Sequence, residues 1–228
     1  MRAPPFCPDN GVCAPVGRFS KMQRPKLVLA ESAMKYTSLL LMSTLLGCAS
    51  APTVKSWLDP VSSATITAQS KPLIVARDER TSSIDERDFA QLAAVEVNRM
   101  GERRLYLVAV LWSSQQHTRT EREEFEKSFA RVELRMGDHS TTLARHHGDI
   151  AELGVGQSPL PLPIPGSQQL FFPIERADLH ALADSNRVQL VALGEPDAPR
   201  LYEEWQDGRR SLGDFLSQLP SSSSGTQQ

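Results

Sequence analysis

The nine residues Arg104-Leu105-Tyr106-Leu107-Val108-Ala109-Val110-Leu111-Trp112 limit what this chain can become. Read with the two-residue period of a strand, one face is Leu105, Leu107, Ala109 and Leu111, and the other is Tyr106, Val108, Val110 and Trp112. Both faces are apolar, so the strand must lie at the centre of a sheet with protein on either side. Ala94-Val95-Glu96-Val97-Asn98 reads as its antiparallel partner across Met100-Gly101-Glu102, where the glycine suits a tight turn.

Strand signals continue on both sides of this hairpin. Ala64-Thr65-Ile66-Thr67-Ala68 and Leu73-Ile74-Val75-Ala76 are runs rich in β-branched residues, split by Ser70-Lys71-Pro72, and the charged residues 77–88 read as a loop. Residues 129–136 alternate Ala130, Val132, Leu134 and Met136 with charge, and Gly137-Asp138 turns them toward Thr141-Thr142-Leu143. Leu170-Phe171-Phe172, residues 188–193 and residues 201–205 read as further strands. Thr120 to Lys127 is dense in charge and favours a short exposed helix. Glu175 to Ser185 reads as a helix with Leu179, Leu182 and Ala183 inward, and Ser211-Leu212-Gly213-Asp214 as the capping box of a last helix burying Phe215, Leu216 and Leu219. Pro159 to Pro165 breaks all periodicity and should run as polyproline II. The expected class is mainly β with flanking helices (α+β): an antiparallel, two-layer, β-sandwich-like domain covered by one or two short helices.

Upstream, Met34-Lys35-Tyr36-Thr37 opens onto an apolar run from Ser38 to Leu46, far short of the roughly 20 residues a membrane-spanning helix needs. It fits the apolar region of a secretory signal. Leu45-Leu46-Gly47-Cys48 resembles the bacterial lipobox, although Leu46 stands where Ala, Ser or Thr is commoner. The resemblance implies cleavage between Gly47 and Cys48, a diacylglycerol on the Cys48 sulfur, and a third acyl chain on the new amino group. Residues 1–33, with Pro4, Pro5, Pro8 and Pro15 and the isolated Cys7 and Cys13, fit neither signal nor domain. Translation is expected to begin at Met34 or, second, at Met22; the alternative is an unusually long signal start. The expected organisation is thus 1–33 a mis-assigned segment upstream of the true start, 34–47 signal, 48–56 lipidated tether, 57–219 a single periplasmic β-rich domain whose first anchored element is Trp57-Leu58-Asp59-Pro60, and 220–228 a disordered tail.

The charge that matters follows from this division. Residues 1–47 hold six bases and two acids, which leaves 19 bases against 25 acids from Cys48 onward, a formal charge of −6. Such a chain has no electrostatic footprint for nucleic acid and, taken as a whole, is repelled by anionic membranes. Cys48 is the last cysteine and its sulfur is taken by lipid, so the domain has no disulfide and no thiol nucleophile. No catalytic set stands out either. His139, His146 and His147 lie near Asp138 and Asp149 without the spacing of a zinc site. Ser158 lacks the second glycine of a nucleophile elbow, and Gly154-Val155-Gly156 precedes neither lysine nor helix. Glu203 and Glu204 are neighbours on a strand and face opposite sides. The expectation is no catalytic residues, no metal and no cofactor.

Trp57-Leu58-Asp59-Pro60 after the tether, the strand 105–112, and Trp205-x-Asp207-Gly208-x3-Leu212-x2-Phe215-Leu216 together loosely resemble small uncharacterised lipoproteins of Gram-negative envelopes. The resemblance implies a domain standing alone on a lipid anchor. Ala49 after the cysteine, where the enterobacterial retention pattern has Asp, points to the outer membrane, facing the periplasm. The expected role is a non-catalytic binding or assembly module with an envelope protein as partner. The alternatives are a passive or stress-related envelope component and, third, a hydrolase acting on wall or envelope substrates. Cys48→Ala should release the protein from membranes and abolish labelling by a fatty-acid analogue, because acyl chains contribute about 0.8 kcal/mol per buried CH₂. An unlabelled native protein found free of membranes would contradict the lipid anchor.

Overall fold

A computed structural model describes residues 52–81, 84–115, 118–194 and 199–220, with the side chains of 79–85 left out. Gly47 and Cys48, and with them the signal and lipidation site, lie outside the described residues, as does the tail from Ser221 on. The strands are β1 (Val54–Leu58), β2 (Thr65–Gln69), β3 (Leu73–Thr81), β4 (Ile84–Arg99), β5 (Glu102–Ser113), β6 (Arg131–Met136), β7 (His139–Ala144), β8 (Gln168–Pro173), β9 (Val188–Ala192) and β10 (Arg200–Gln206). The helices are α1 (Arg119–Ser128), α2 (Arg176–Asp184) and α3 (Arg209–Gln218). All strand pairs are antiparallel and join into one curled sheet flanked by helices, so the class is α+β and the two layers are opposite walls of a continuous sheet.

β4 and β5 organise that sheet. They pair over twelve residues each, from Asp88↔Ser113 to Arg99↔Glu102, and Met100 and Gly101 close the hairpin with φ of 52° and 90°. Positive φ at both turn positions matches the right-handed twist of the strands and suits Gly101, while Met100 adopts it at a steric cost. β5 lies between β4 and β8 and is buried on both faces, as its double apolar pattern requires. Leu107, Ala109 and Leu111 join the larger core inside the curl, with Phe129, Leu134, Phe172, Leu190, Tyr202 and Phe215. Tyr106, Val108 and Val110 join a second core on the outer side, covered by Ile66, Leu153, Val155 and Leu160. The Leu160 of the proline-rich stretch is thus buried, whereas Leu162 and Ile164 are exposed.

β2 and β3 lie end to end along the other edge of β4, pairing with Ala68↔Val95 and Leu73↔Leu92, and then diverge, β2 toward β1 and β3 toward β10. The sheet forks at Ser70-Lys71-Pro72, where a strand backbone is missing from the β4 edge. Buried Gln69 fills the gap: its Oε1 accepts from the Ala94 N–H at 3.1 Å, and its Nε2 donates to the carbonyls of Lys71 at 2.7 Å and Gly208 at 3.0 Å. Gly208 packs so tightly here that a Cβ would run into the Pro72 carbonyl and the Leu73 nitrogen.

Three local readings change. Residues 77–81 and 84–88, read as part of a loop, belong to β3 and β4, where Arg77 opposes Asp88 and Asp78 opposes Arg87; facing opposite charges take the place of the apolar alternation that marks a strand. β1 begins at Val54, inside the 48–56 segment read as a tether, because Val54 is buried in the main core and pairs with Gln69. The last helix starts at Arg209 behind Gly208, so Ser211 is not a cap; its Oγ is turned inward and donates to the Thr53 carbonyl at 2.9 Å. The segment 120–127 is helical as expected, within α1, and Thr118 and Glu121 form its capping box.

Asp59 closes the turn after β1. Its carboxylate accepts from the N–H groups of Val61 at 2.8 Å, Ser62 at 3.1 Å and Gly156 at 2.7 Å. The Ser62 N–H foremost, then Gly156 and Val61, hold this carboxyl below the usual aspartate range.

Val108→Asp should abolish cooperative folding, because an unpaired carboxylate between two apolar layers costs several kcal/mol against a typical total of about 5–15. Gln69→Leu should lower the urea midpoint while leaving a folded protein, since it orphans the Ala94 N–H and two carbonyls, at about 1–3 kcal/mol for each one that stays buried. A Val108→Asp variant that melts cooperatively at the native temperature would remove β5 from the centre.

Candidate functional site

The sheet nearly closes on itself, and where it fails to do so a concavity opens. The chain leaving β7 meets β8 through one bond, from the His146 N–H to the Phe171 carbonyl at 2.8 Å. Two residues along in the same register Ala144 would face Pro173, which has no N–H to give, so the seam cannot zip further. Beyond Pro173 the chain turns into α2, and the seam widens into an open groove of about 1170 Å³. Its walls are Thr141–Leu143 of β7, the start of α2 at Glu175, Arg176 and Asp178, the end of α3 at Leu219 and Pro220, and the inner face of the β4–β5 hairpin at Glu96, Arg103 and Leu105.

The ionic groups of the groove are largely matched. Arg103 lies 3.5 Å from the nearly buried Glu96. Arg104 donates twice to Glu102, at 2.9 and 2.6 Å, which together with Tyr106 keeps its guanidinium firmly charged. Arg176 donates to the carbonyls of Leu216 at 3.2 Å and Pro220 at 2.7 Å, thereby capping the end of α3. Asp178, in the first turn of α2, reaches across to β7: His139 Nε2 lies 3.1 Å from Oδ1, and Thr141 Oγ1 donates to Oδ2 at 3.4 Å. Two turns of structure from distant parts of the chain are thus latched over the seam.

The five residues singled out around the histidines are not brought together. His139 pairs with Asp178, His146 lines the groove with its Nε2 buried and without a hydrogen-bond partner, and Asp138, in the β6–β7 turn, and His147 and Asp149, in the loop after β7, stand exposed. Among the described residues no group of three His, Cys, Asp or Glu is placed to hold a metal ion. Ser158 donates to the Leu160 carbonyl at 2.6 Å, and Gly156 serves Asp59. Glu203 and Glu204 part to opposite faces, the first to Arg187 and Gln189 and the second to Arg209. Reading by sequence missed Arg103, Arg176, Asp178 and Pro173 as neighbours; the one signal that could have found the groove is a proline at the end of a strand, which marks an edge that stops pairing.

A second surface lies on the outer side of the β3–β4–β10 region. Phe89 stacks on Trp112 with ring centres 5.1 Å apart and meets Trp205 edge-on at 6.1 Å, and the Arg87 guanidinium stands 4.4 Å over the Trp205 ring. Trp205 is nonetheless 57% exposed. Comparison of the chain with protein-family models, curated proteins and solved structures returns no match.

Asp178→Ala should lower stability by about 1 kcal/mol, through loss of the two cross-seam bonds and of a negative charge in the first turn of α2. His139→Ala should cost less, because Thr141 still holds Asp178. Equilibrium urea titration measures both; equal effects would show that the latch rests on His139 alone.

Proposed function

We propose that this protein is a lipid-anchored envelope module, held at the outer membrane through Cys48 and facing the periplasm, that binds another envelope protein without catalysis. The observation that carries the binding role is the open seam. Among the described residues β7 pairs on one side only, with β6. Its other edge runs along the groove, and Thr142 and Ala144 share the backbone side that His146 uses to reach β8. An extended segment of a partner laid along this edge gains main-chain hydrogen bonds from β7 and apolar contact from Leu105, Leu143, Ile174 and Leu219. The groove offers backbone, shape and matched charge, which suits recognition of a polypeptide. Attachment by lipid would keep such a module at the membrane beside its partner, where a short tether raises the effective concentration.

A photo-crosslinking residue at Thr142 should capture one discrete adduct in intact cells, and the same residue at exposed Glu124 on α1 should not. Thr142→Pro, which removes the edge N–H, should abolish the adduct formed from a crosslinker at Thr141 while leaving the melting temperature within a few degrees. No adduct from either groove position would favour the passive envelope component instead.

A further inference from the structure

The acidic balance of the chain conceals a basic face, and it lies where the chain enters the domain. The Thr53 carbonyl accepts from the Ser70 N–H at 2.8 Å and from Ser211 Oγ at 2.9 Å, and Ser211 Oγ in turn accepts from the Lys71 N–H at 3.3 Å. These bonds gather the root of the chain, the fork of the sheet and the start of α3 at one spot. Lys55, Lys71 and Arg210 are all exposed around it, and no ion pair is formed by any of the three among the described residues. The nearby acids are differently placed: Glu204 and Asp207 are both taken by Arg209, at 2.8 Å each, and Asp214 lies half-buried a turn further along α3. Trp205, next to last in β10, stands three residues before Gly208, which packs on the same fork, and it carries on its ring Arg87, which is itself paired with Asp78.

We infer that this face, formed by Lys55, Lys71, Arg210 and Trp205, lies against an anionic phospholipid surface and sets the orientation of the domain on the membrane. The inference rests on the lipid-anchor reading above for the proximity of the membrane, and two features of the chain point to the occupant. Charge is the first: three free cations favour an anionic surface by about 1 kcal/mol each when close to it, and an indole with a cation on its ring is a side chain suited to the headgroup layer. Reach is the second. From Cys48 to Val54 the chain is six residues long, and at about 3.3 Å per residue it spans no more than about 20 Å, so the face nearest Val54 cannot be held far from acyl chains on Cys48. The repulsion expected from the net charge of −6 applies to the chain as a whole; the basic root turns the acidic remainder away from the lipid.

Trp205 reports on this directly once Trp57 and Trp112 are replaced by Phe. The protein purified from cells in its lipidated form, with those two changes, is incorporated into vesicles of phosphatidylcholine with brominated acyl chains, with or without phosphatidylglycerol. Trp205 fluorescence should be quenched, more strongly when phosphatidylglycerol is present. The extra quenching should vanish at high salt and in the variant Lys55→Gln, Lys71→Gln, Arg210→Gln, whose circular dichroism and melting temperature show whether it is folded. Salt needs no variant and decides the matter if that one is unfolded. Absence of quenching, or quenching indifferent to phosphatidylglycerol and salt, overturns the inference. Fatty-acid labelling of Cys48 on the same preparation separates the two readings. A labelled protein with unquenched Trp205 keeps the anchor and removes this face. An unlabelled one removes the anchor, and its Trp205 quenching on mixing with phosphatidylglycerol vesicles then stands or fails by itself.

Discussion

Everything in this domain depends on one strand having no polar face. β5 must be covered twice, and the chain satisfies it by curling one sheet around Leu107, Ala109 and Leu111 while folding β2 and the 150–160 segment over Val108 and Val110. Burying an apolar side chain contributes about 1.5–3 kcal/mol, so a strand that does so on each residue from Tyr106 to Leu111 ties two cores into a single cooperative structure. The absence of any cysteine after Cys48 makes this coupling the main source of stability.

The curl has a consequence for function. A sheet that wraps this far either closes into a barrel or leaves two edges facing each other, and Pro173 decides between the two. With no N–H to offer Ala144, β8 stops one step after the His146 bond, α2 takes over, and the gap becomes the groove. The edge of β7 is guarded by the Asp178 latch at one end and by the His146 bond at the other, which limits pairing to a short central stretch. The fork at Gln69 plays the complementary part at the opposite side of the sheet: it ends pairing with a buried side chain, and it gathers β1, α3 and the chain entry in one place.

Most of the fold was legible from pattern. The double apolar run became β5, the alternation at 130–136 became β6, Gly137-Asp138 turned it into β7, and Leu179 and Leu182 mark the inward face of α2. Regions where charge stood in for apolarity were not legible. Residues 77–81 pair with 84–88, Arg77 opposite Asp88 and Asp78 opposite Arg87, and no hydrophobic period announces that. Ser211 has the residue type of a helix cap, but Gly208 is held against the fork and fixes the start of α3 earlier. The groove was illegible for a different reason: Glu96, Arg103, Thr142, Asp178 and Pro220 come from five separate elements or loops, and only the closure of the sheet makes them neighbours. The basic root was hidden likewise, since Lys55, Lys71 and Arg210 vanish in a chain whose sum is acidic.

Native-state hydrogen exchange tests the central claim most directly, because it reports whether the two cores open together. If β5 couples them, the amides of residues 107–110 should be among the slowest to exchange. Those of Ile66 in β2 and Leu190 in β9, one from each side, should merge with them into one unfolding event as denaturant rises. Separate isotherms, with the Ile66 side opening while residues 107–110 and Leu190 stay protected, would contradict a single fold organised around β5.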